Sequence, residues 1–416
     1  MQILSRHVVD DCESVSVITD SVYSLRRLET SVADFPQFNY SKKQVLRAGE
    51  ALKDNIIWSK EREEDIKEIF RIANSWRDSH AYPMNSIRHE LIARLRNCGL
   101  KGSTVARLKR MSSIRRKLRT IPEKLNQIQD LGGCRVILPK MDGLNNLLDS
   151  IKYRSRHKIY GENDYINQPK KGGYRCHHIK FQFTGTGGTE VYDGRRIELQ
   201  IRTQLQHSWA TAVEAVGLLI SQNLKAGEGN NDWLRLFELM SAELSLAENC
   251  PVPIGLPTRV ERVQEIKELN NRLNAVNQLD NMRNVVRFTE IGRQYYEKPS
   301  YYRLEYDNKK GTVNVTPHFN PLSATEDYNK SEEEGNISGD DHINTVLVEA
   351  EEIKELKTAF PNYFGDVLLF NQNLANITQG GNARVYTVPP RELPARRPEE
   401  VIDPSWLRSQ RHRRWT

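Results

Sequence analysis

The chain has 416 residues, enough for two or three domains of about 150 residues each; 38% of them are hydrophobic, 28% are charged, and 61 Lys and Arg stand against 54 Asp and Glu. No stretch approaches the roughly 20 apolar residues of a membrane helix, and acids interrupt the N-terminal MQILSRHVVDDCESVSVITD where a leader needs an apolar run. The five cysteines stand singly, without a CxxC pair, which argues against a disulfide framework and a four-ligand zinc site, so a soluble cytoplasmic protein with reduced thiols is expected.

In chain order, residues 1–79 read as helical, with Ile56, Ile57, Ile66, Ile69 and Ile72 at helical spacing. Lys101–Arg119 carries eight basic residues and no acid. It reads as a helix from about Val105, which would set Lys109, Ser113 and Lys117 on one face. Strand patterns follow: CRVIL after Gly132-Gly133, HIKFQF, and RIELQIRT with Ile197, Leu199 and Ile201 on one side. Residues 80–250 are therefore expected to form an α+β domain, a mixed sheet flanked by helices.

Residues 258–296 read as one long helix with a stripe from Val260 to Met282. A second, small α+β domain is expected over 297–377. Its hairpin YYRLEY/GTVNVT closes around Asp307-Asn308-Lys309-Lys310, a mobile acidic loop surrounds Glu333, and NTVLVEA is a strand. The tail 378–416 is expected to be partly disordered; from Arg384 it holds eight arginines against four acids.

No GxxxxGK[ST], HExxH or GxSxG motif is present, which excludes P-loop chemistry and those hydrolase types. What remains is a set of charged residues tied to the strands. Asp130, before CRVIL, and Glu198, in RIELQIRT, could together hold Mg²⁺, which takes one or two carboxylates plus phosphate oxygens. They could equally be a turn aspartate and a solvent-facing strand glutamate. Arg107, Lys109, Lys117 and Arg135 could neutralise a triphosphate, or be a solvated basic face. In YINQPKKGGYRCHH, Lys170 lies in a tight basic loop, Tyr174 could stack on a base and His178 could donate to phosphate; the alternative is a hairpin turn with a core tyrosine.

The order R-x-K-x3-S-x3-K, QDLGGCR, DYINQPKKGGYRCHH, IELQIRTQLQHSWA resembles the RelA/SpoT nucleotidyltransferase (alarmone synthetase) family over roughly residues 80–220. That resemblance implies transfer of the β,γ-pyrophosphate of ATP to a ribose 3′-hydroxyl. It implies ATP-binding roles for Arg107, Lys109, Ser113, Lys117 and Arg135, with Arg107 and Arg135 sandwiching the adenine. Asp130 would be the Mg²⁺ ligand and Glu198 a second ligand or general base. Lys170, Tyr174, Arg175 and His178 would face the acceptor, and Gln200, Arg202 and Glu214 fall on family positions. The order of elements after residue 258 resembles the fused toxin–antitoxin (CapRel) subgroup. In that subgroup the acceptor is the 3′ CCA end of tRNA, a C-terminal pseudo-zinc-finger inhibits the enzyme through Tyr-x-x-Tyr, and phage capsid protein releases it. Here the element reads Phe360-Pro-Asn-Tyr363. A synthetase making ppGpp or pppGpp from GDP or GTP is the alternative. A catalytically dead RNA-binding or capsid-sensing module is a third, against which the Asp130/Glu198 pair argues.

Overall fold

The computed structural model describes residues 35–54, 60–220, 222–285, 287–289, 299–307, 312–338, 343–349 and 367–385. Ile56 and Ile57, the helix read over EEIKELKTAF, Phe360, Tyr363 and most of the Arg-rich tail lie outside them.

The first helices of the described residues are α1 (Lys42–Ala51), α2 (Glu63–Asp78) and α3 (Ala81–Asn97). α2 buries Ile66 and Ile72 on its inward stripe, and Ser41 closes a capping box with Gln44 at the start of α1. Next come β1 (Ser103–Leu108), α4 (Met111–Thr120), β2 (Gly132–Leu138), α5 (Met141–Arg154), β3 (Lys158–Asp164), β4 (His177–Gln182) and β5 (Arg196–Thr203). Then follow α6 (Gln204–Leu219), α7 (Asn231–Ala247), α8 (Arg259–Leu273) and α9 (Ala275–Val285). The last described elements are β6 (Arg287–Thr289), β7 (Tyr301–Asp307), β8 (Thr312–His318), α10 (Pro321–Ser338), β9 (Ile343–Glu349) and α11 (Leu368–Thr378). No helix among the described residues is long and apolar enough to cross a membrane.

The fold is α+β, as expected. The described strands form one mixed sheet in the order β3-β4-β5-β2-β1-β9-β7-β8-β6. β2 and β5 are parallel, and β1 is antiparallel to β2 on one side and to β9 on the other. The strands read for 80–250 and for 297–377 are thus continuous in one sheet, joined where Ala106 meets Glu349. Glu349 also reaches through the sheet's helical side, accepting from Asn85 Nδ2 at 2.6 Å and pairing with Arg88 at 3.0 Å, both on α3. Pairing, hydrogen bonds and burial of Arg88 and Glu349 together fix the C-terminal strands to α3.

One sheet face packs on α3 and α5 through Met84, Leu91, Ala106, Val136, Leu147 and Leu199. A second apolar cluster joins α6, α7, α8, α9 and α11 through Trp209, Phe237, Ile266, Leu279 and Phe370.

Three local expectations change. Residues 103–108 are a strand, because Lys109 N–H continues the β1–β2 ladder to Leu131 O at 2.8 Å; the helix starts only at Met111. Of the long helix expected over 258–296, the described part is two helices, broken at Asn274, whose backbone is left-handed (φ 49°, ψ 42°), a conformation asparagine tolerates, and Arg287–Thr289 is a strand. The helical stripe also starts later than read, since Val260 is 81% exposed while Ile266 and Leu269 are buried. The acidic stretch from Ser331 is the last part of α10 up to Ser338, not a loop. Glu332 there pairs with the buried Arg77 at 2.8 Å and accepts from Met111 N–H at 3.0 Å, capping α4. The β7–β8 hairpin is formed as read, with Asp307 opposite Thr312.

Candidate active site on the open sheet face

Register places the site. Arg107 is opposite Gly133, Gly133 is opposite Glu198, and Arg135 and His178 are both opposite Gln200. Arg107, Arg135, His178, Glu198, Gln200 and Arg202 therefore share one face of β1, β2, β5 and β4, since alternate strand residues point the same way. Gly132, at the start of β2, lies so close to the neighbouring strand that a Cβ there would stand 2.7 Å from Ile197 Cδ1.

At the edge of this face Asp130 holds two ammonium groups, Lys109 Nζ at 2.7 Å and Lys117 Nζ at 2.9 Å. One comes from the end of β1 and one from the middle of α4, so the two meet at Asp130 although they do not share a helix. Burial would raise the Asp130 pKa, but the charges and hydrogen bonds of both lysines hold it far below the usual carboxylate range. Ser113 sits half-buried one turn before Lys117.

Five side chains close a hydrogen-bonded ring beside it. The Tyr174 hydroxyl meets His178 Nε2 at 2.8 Å, and His178 Nδ1 lies 3.3 Å from Glu198. Gln200 Nε2 donates to Glu198 at 2.8 Å, while Arg202 Nη2 donates to Gln200 Oε1 at 2.6 Å and to the Tyr174 hydroxyl at 3.1 Å. Burial opposes charge on His178, but hydrogen bonds and negative charge from Cys176 and Glu198 raise it to about 9. Burial would raise Glu198, yet hydrogen bonding and charge from His178 bring it down, so an imidazolium–carboxylate pair stands here at neutral pH. Glu198 also feels the charge of Asp130.

Arg135 is pressed toward lower pKa by burial and by the like charges of Arg202 and Arg107, and Glu214 on α6 opposes the shift. Glu214 is itself held low, against its burial, by Lys225, Arg135 and Arg107. Lys170 Nζ lies 4.3 Å over the Tyr165 ring and 5.6 Å from that of Tyr174. The loop carrying it turns through Gly172 (φ 88°) and Gly173 (φ 94°); a Cβ on Gly173 would lie 2.6 Å from that of Ser241.

Arg175 is not brought to this group. It is buried, and it donates to Ile166 O and Pro251 O, each at 2.8 Å, and to Ser241 Oγ at 3.2 Å, tying the loop to α7. The ring roles of Gln200 and Arg202 were not separable in the sequence; the signal was their shared parity with Glu198 in RIELQIRT.

Residues 106–217 match the family described as the region found in RelA and SpoT proteins. The chain is 28% identical over 124 residues to the GTP pyrophosphokinase YjbM of Bacillus subtilis, covering 28% of this chain and 57% of that protein. It is 30% identical over 114 residues to the GTP pyrophosphokinase YwaC of the same organism, covering 26% and 54%. It thus spans little more than half the length of these two relatives. The crystal structure of small alarmone synthetase 1 from Bacillus subtilis bound to its product pppGpp aligns with 41% of this chain and 90% of its own, at 20% identity and a TM-score of 0.36. The matched segment contains this whole site, from Arg107 to Glu214, and is similar to the region found in RelA and SpoT proteins.

Proposed function

We propose that this face is the active site of an ATP-dependent pyrophosphotransferase, moving the β,γ-pyrophosphate of ATP to a ribose 3′-hydroxyl and releasing AMP. The observation that carries the reading is the convergence of Lys109 and Lys117 on Asp130 beside the ring that holds Glu198. Two ammonium groups poised on one carboxylate can be handed over to a triphosphate, which leaves the Asp130 oxygens open. Arg107 and Arg135 offer flat guanidinium planes to the adenine. Glu198, ionised and held by His178 and Gln200, orients the attacking hydroxyl and takes up its proton.

Among the described residues no cluster of three or more His, Cys, Asp or Glu could cage a metal alone. The donor set fits Mg²⁺ that arrives on a nucleotide, because Asp130 is ionised and hard, and Mg²⁺ fills its shell from phosphates and water. Asp130 and Glu198 would hold it, and its chemistry would be to neutralise charge on the transferring phosphates.

For the acceptor we assign the 3′ CCA end of tRNA, with residues 297–377 restraining transfer until a phage structural protein binds them; the resemblance of the C-terminal elements supports this. A guanine nucleotide is the second reading, favoured by the similarity to the two Bacillus GTP pyrophosphokinases. The test is the purified chain with γ-labelled ATP, offered GDP, GTP and deacylated tRNA in parallel. Label on tRNA alone supports the first acceptor, and label on guanine nucleotides alone overturns it but keeps the transferase. No label on any acceptor, with or without the phage protein, overturns the transferase.

A further inference from the structure

The helix that brings Ser113 and Lys117 to the site does not hold its own start. Arg110, the residue before α4, makes no side-chain cap, and the first turn of α4 carries no acid, although Arg115, Arg116, Lys117 and Arg119 charge the helix positively. The first N–H groups of a helix need acceptors from outside it. The N–H of Met111 finds one in Glu332 of α10, at 3.0 Å, more than two hundred residues later in the chain. A carboxylate there also meets the positive end of the helix dipole.

Glu332 is anchored in turn. It accepts from Arg77 Nη1 at 2.8 Å, and the fully buried Arg77 also pairs with Asp78 at 2.9 Å, bonds to Asn329 and lies 4.9 Å from the centre of the Tyr328 ring. Asn329 Nδ2 donates back to Asp78 at 2.9 Å. The junction that Glu332 grips is short. Lys109 is fixed by its N–H to Leu131 O at 2.8 Å and by its Nζ to Asp130, and Met111 by Glu332 and by burial of its side chain. Only Arg110 stands between them. Glu332 therefore sets where α4 leaves β1, and with it where Lys117 joins Lys109 at Asp130.

We infer that Glu332 is a positioning residue for the donor nucleotide: α10, from the C-terminal segment, fixes the start of α4 and so sets the two lysines for the triphosphate. This role rests on the ATP site proposed above and adds that the C-terminal segment supports donor binding. Any restraint by residues 297–377 must then be lifted with α10 still docked on α4.

Binding of α,β-methylene-ATP with MgCl₂ is measured by calorimetry on the full chain and its variants. Glu332→Ala takes the acceptor away and should weaken binding about fivefold, in line with the loss of one helix cap. Met111→Pro takes the N–H away instead, and proline suits both the first position of a helix and the extended backbone of Arg110. It should weaken binding by the same factor, and the double variant by no more than either alone. A merely structural loss would lower the binding stoichiometry and leave the dissociation constant unchanged. Glu349→Ala, which cuts another C-terminal tie, to Arg88 of α3, should do only that. Where Glu332→Ala does not unfold cooperatively, Met111→Pro decides alone. Wild-type or tighter affinity in the folded variants, or the same weakening in Glu349→Ala, overturns the inference and leaves the ATP site standing; no binding by the wild type overturns both.

Discussion

On one face of the sheet, β1, β2, β4 and β5 present Arg107, Arg135, His178, Glu198, Gln200 and Arg202, whereas β7, β8 and β9 present Tyr302, Leu304, Val313, Val315, Val346 and Val348. The border runs along single strands: Val105 and Ile137 join the apolar half, and Arg107 and Arg135 lie two residues away on the same face. The apolar half needs only volume and burial. The polar half is stable because its carboxylates and cations are bound to one another, and an unpaired charge at the same depth would cost far more than a missing methyl group. Mutations should therefore damage stability alone in the apolar half, and function together with some stability in the polar half.

Asp130→Asn should have the largest effect. It removes the charge that gathers Lys109 and Lys117, and label transfer from ATP should fall by about a thousandfold, as for loss of a main electrostatic group, with circular dichroism unchanged. Transfer near wild type would show that the polar half is structural. Leu304→Ala should do the opposite: stability to urea falls by about 2–5 kcal/mol, while transfer per folded molecule persists.

Arg135→Lys keeps the charge but loses the plane, and the KM for ATP should rise about tenfold; an unchanged KM would show that charge alone matters there. The smallest effect concerns His178. Its folded pKa lies above the ordinary 6.5, near 9. Its contribution is therefore complete below about pH 6.5 and is lost as pH rises through about 9. Stability should drop by roughly 1–3 kcal/mol across that window, and His178→Gln should flatten the drop.

The pattern RIELQIRT was enough to bury Ile197, Leu199 and Ile201 and to set Glu198, Gln200 and Arg202 together on the other side. The sequence set Lys109 beside Lys117 on one helix face and Asp130 beside Glu198; that both lysines meet at Asp130, Lys109 from the end of a strand, was not legible. The closure from Arg202 back to Tyr174 was not legible either, because it depends on the β4–β5 register, and a period-two pattern names no partner. The same blindness hid the pairing of β1 with β9. Glu332 was read from its acidic neighbours, yet its position depends on Arg77 and Met111, more than two hundred residues earlier. The stripe across Asn274 was misleading for a different reason: both helices face one core, so the apolar spacing continues through the break.

The pairing of β1 with β9 also bears on how the chain is made. Ala106 and Glu349 are roughly 240 residues apart, so at about 5–20 residues per second β1 waits some 12–50 s after synthesis for its second neighbour. During that interval the strand that carries Arg107 has an unpaired edge, open to another nascent chain. A chain ending near residue 258 would keep that edge permanently and would also lose α8, α9 and α11 from the helical cluster around Phe237. Point substitutions in the full chain, rather than truncation, are therefore the sound way to ask what the C-terminal segment does.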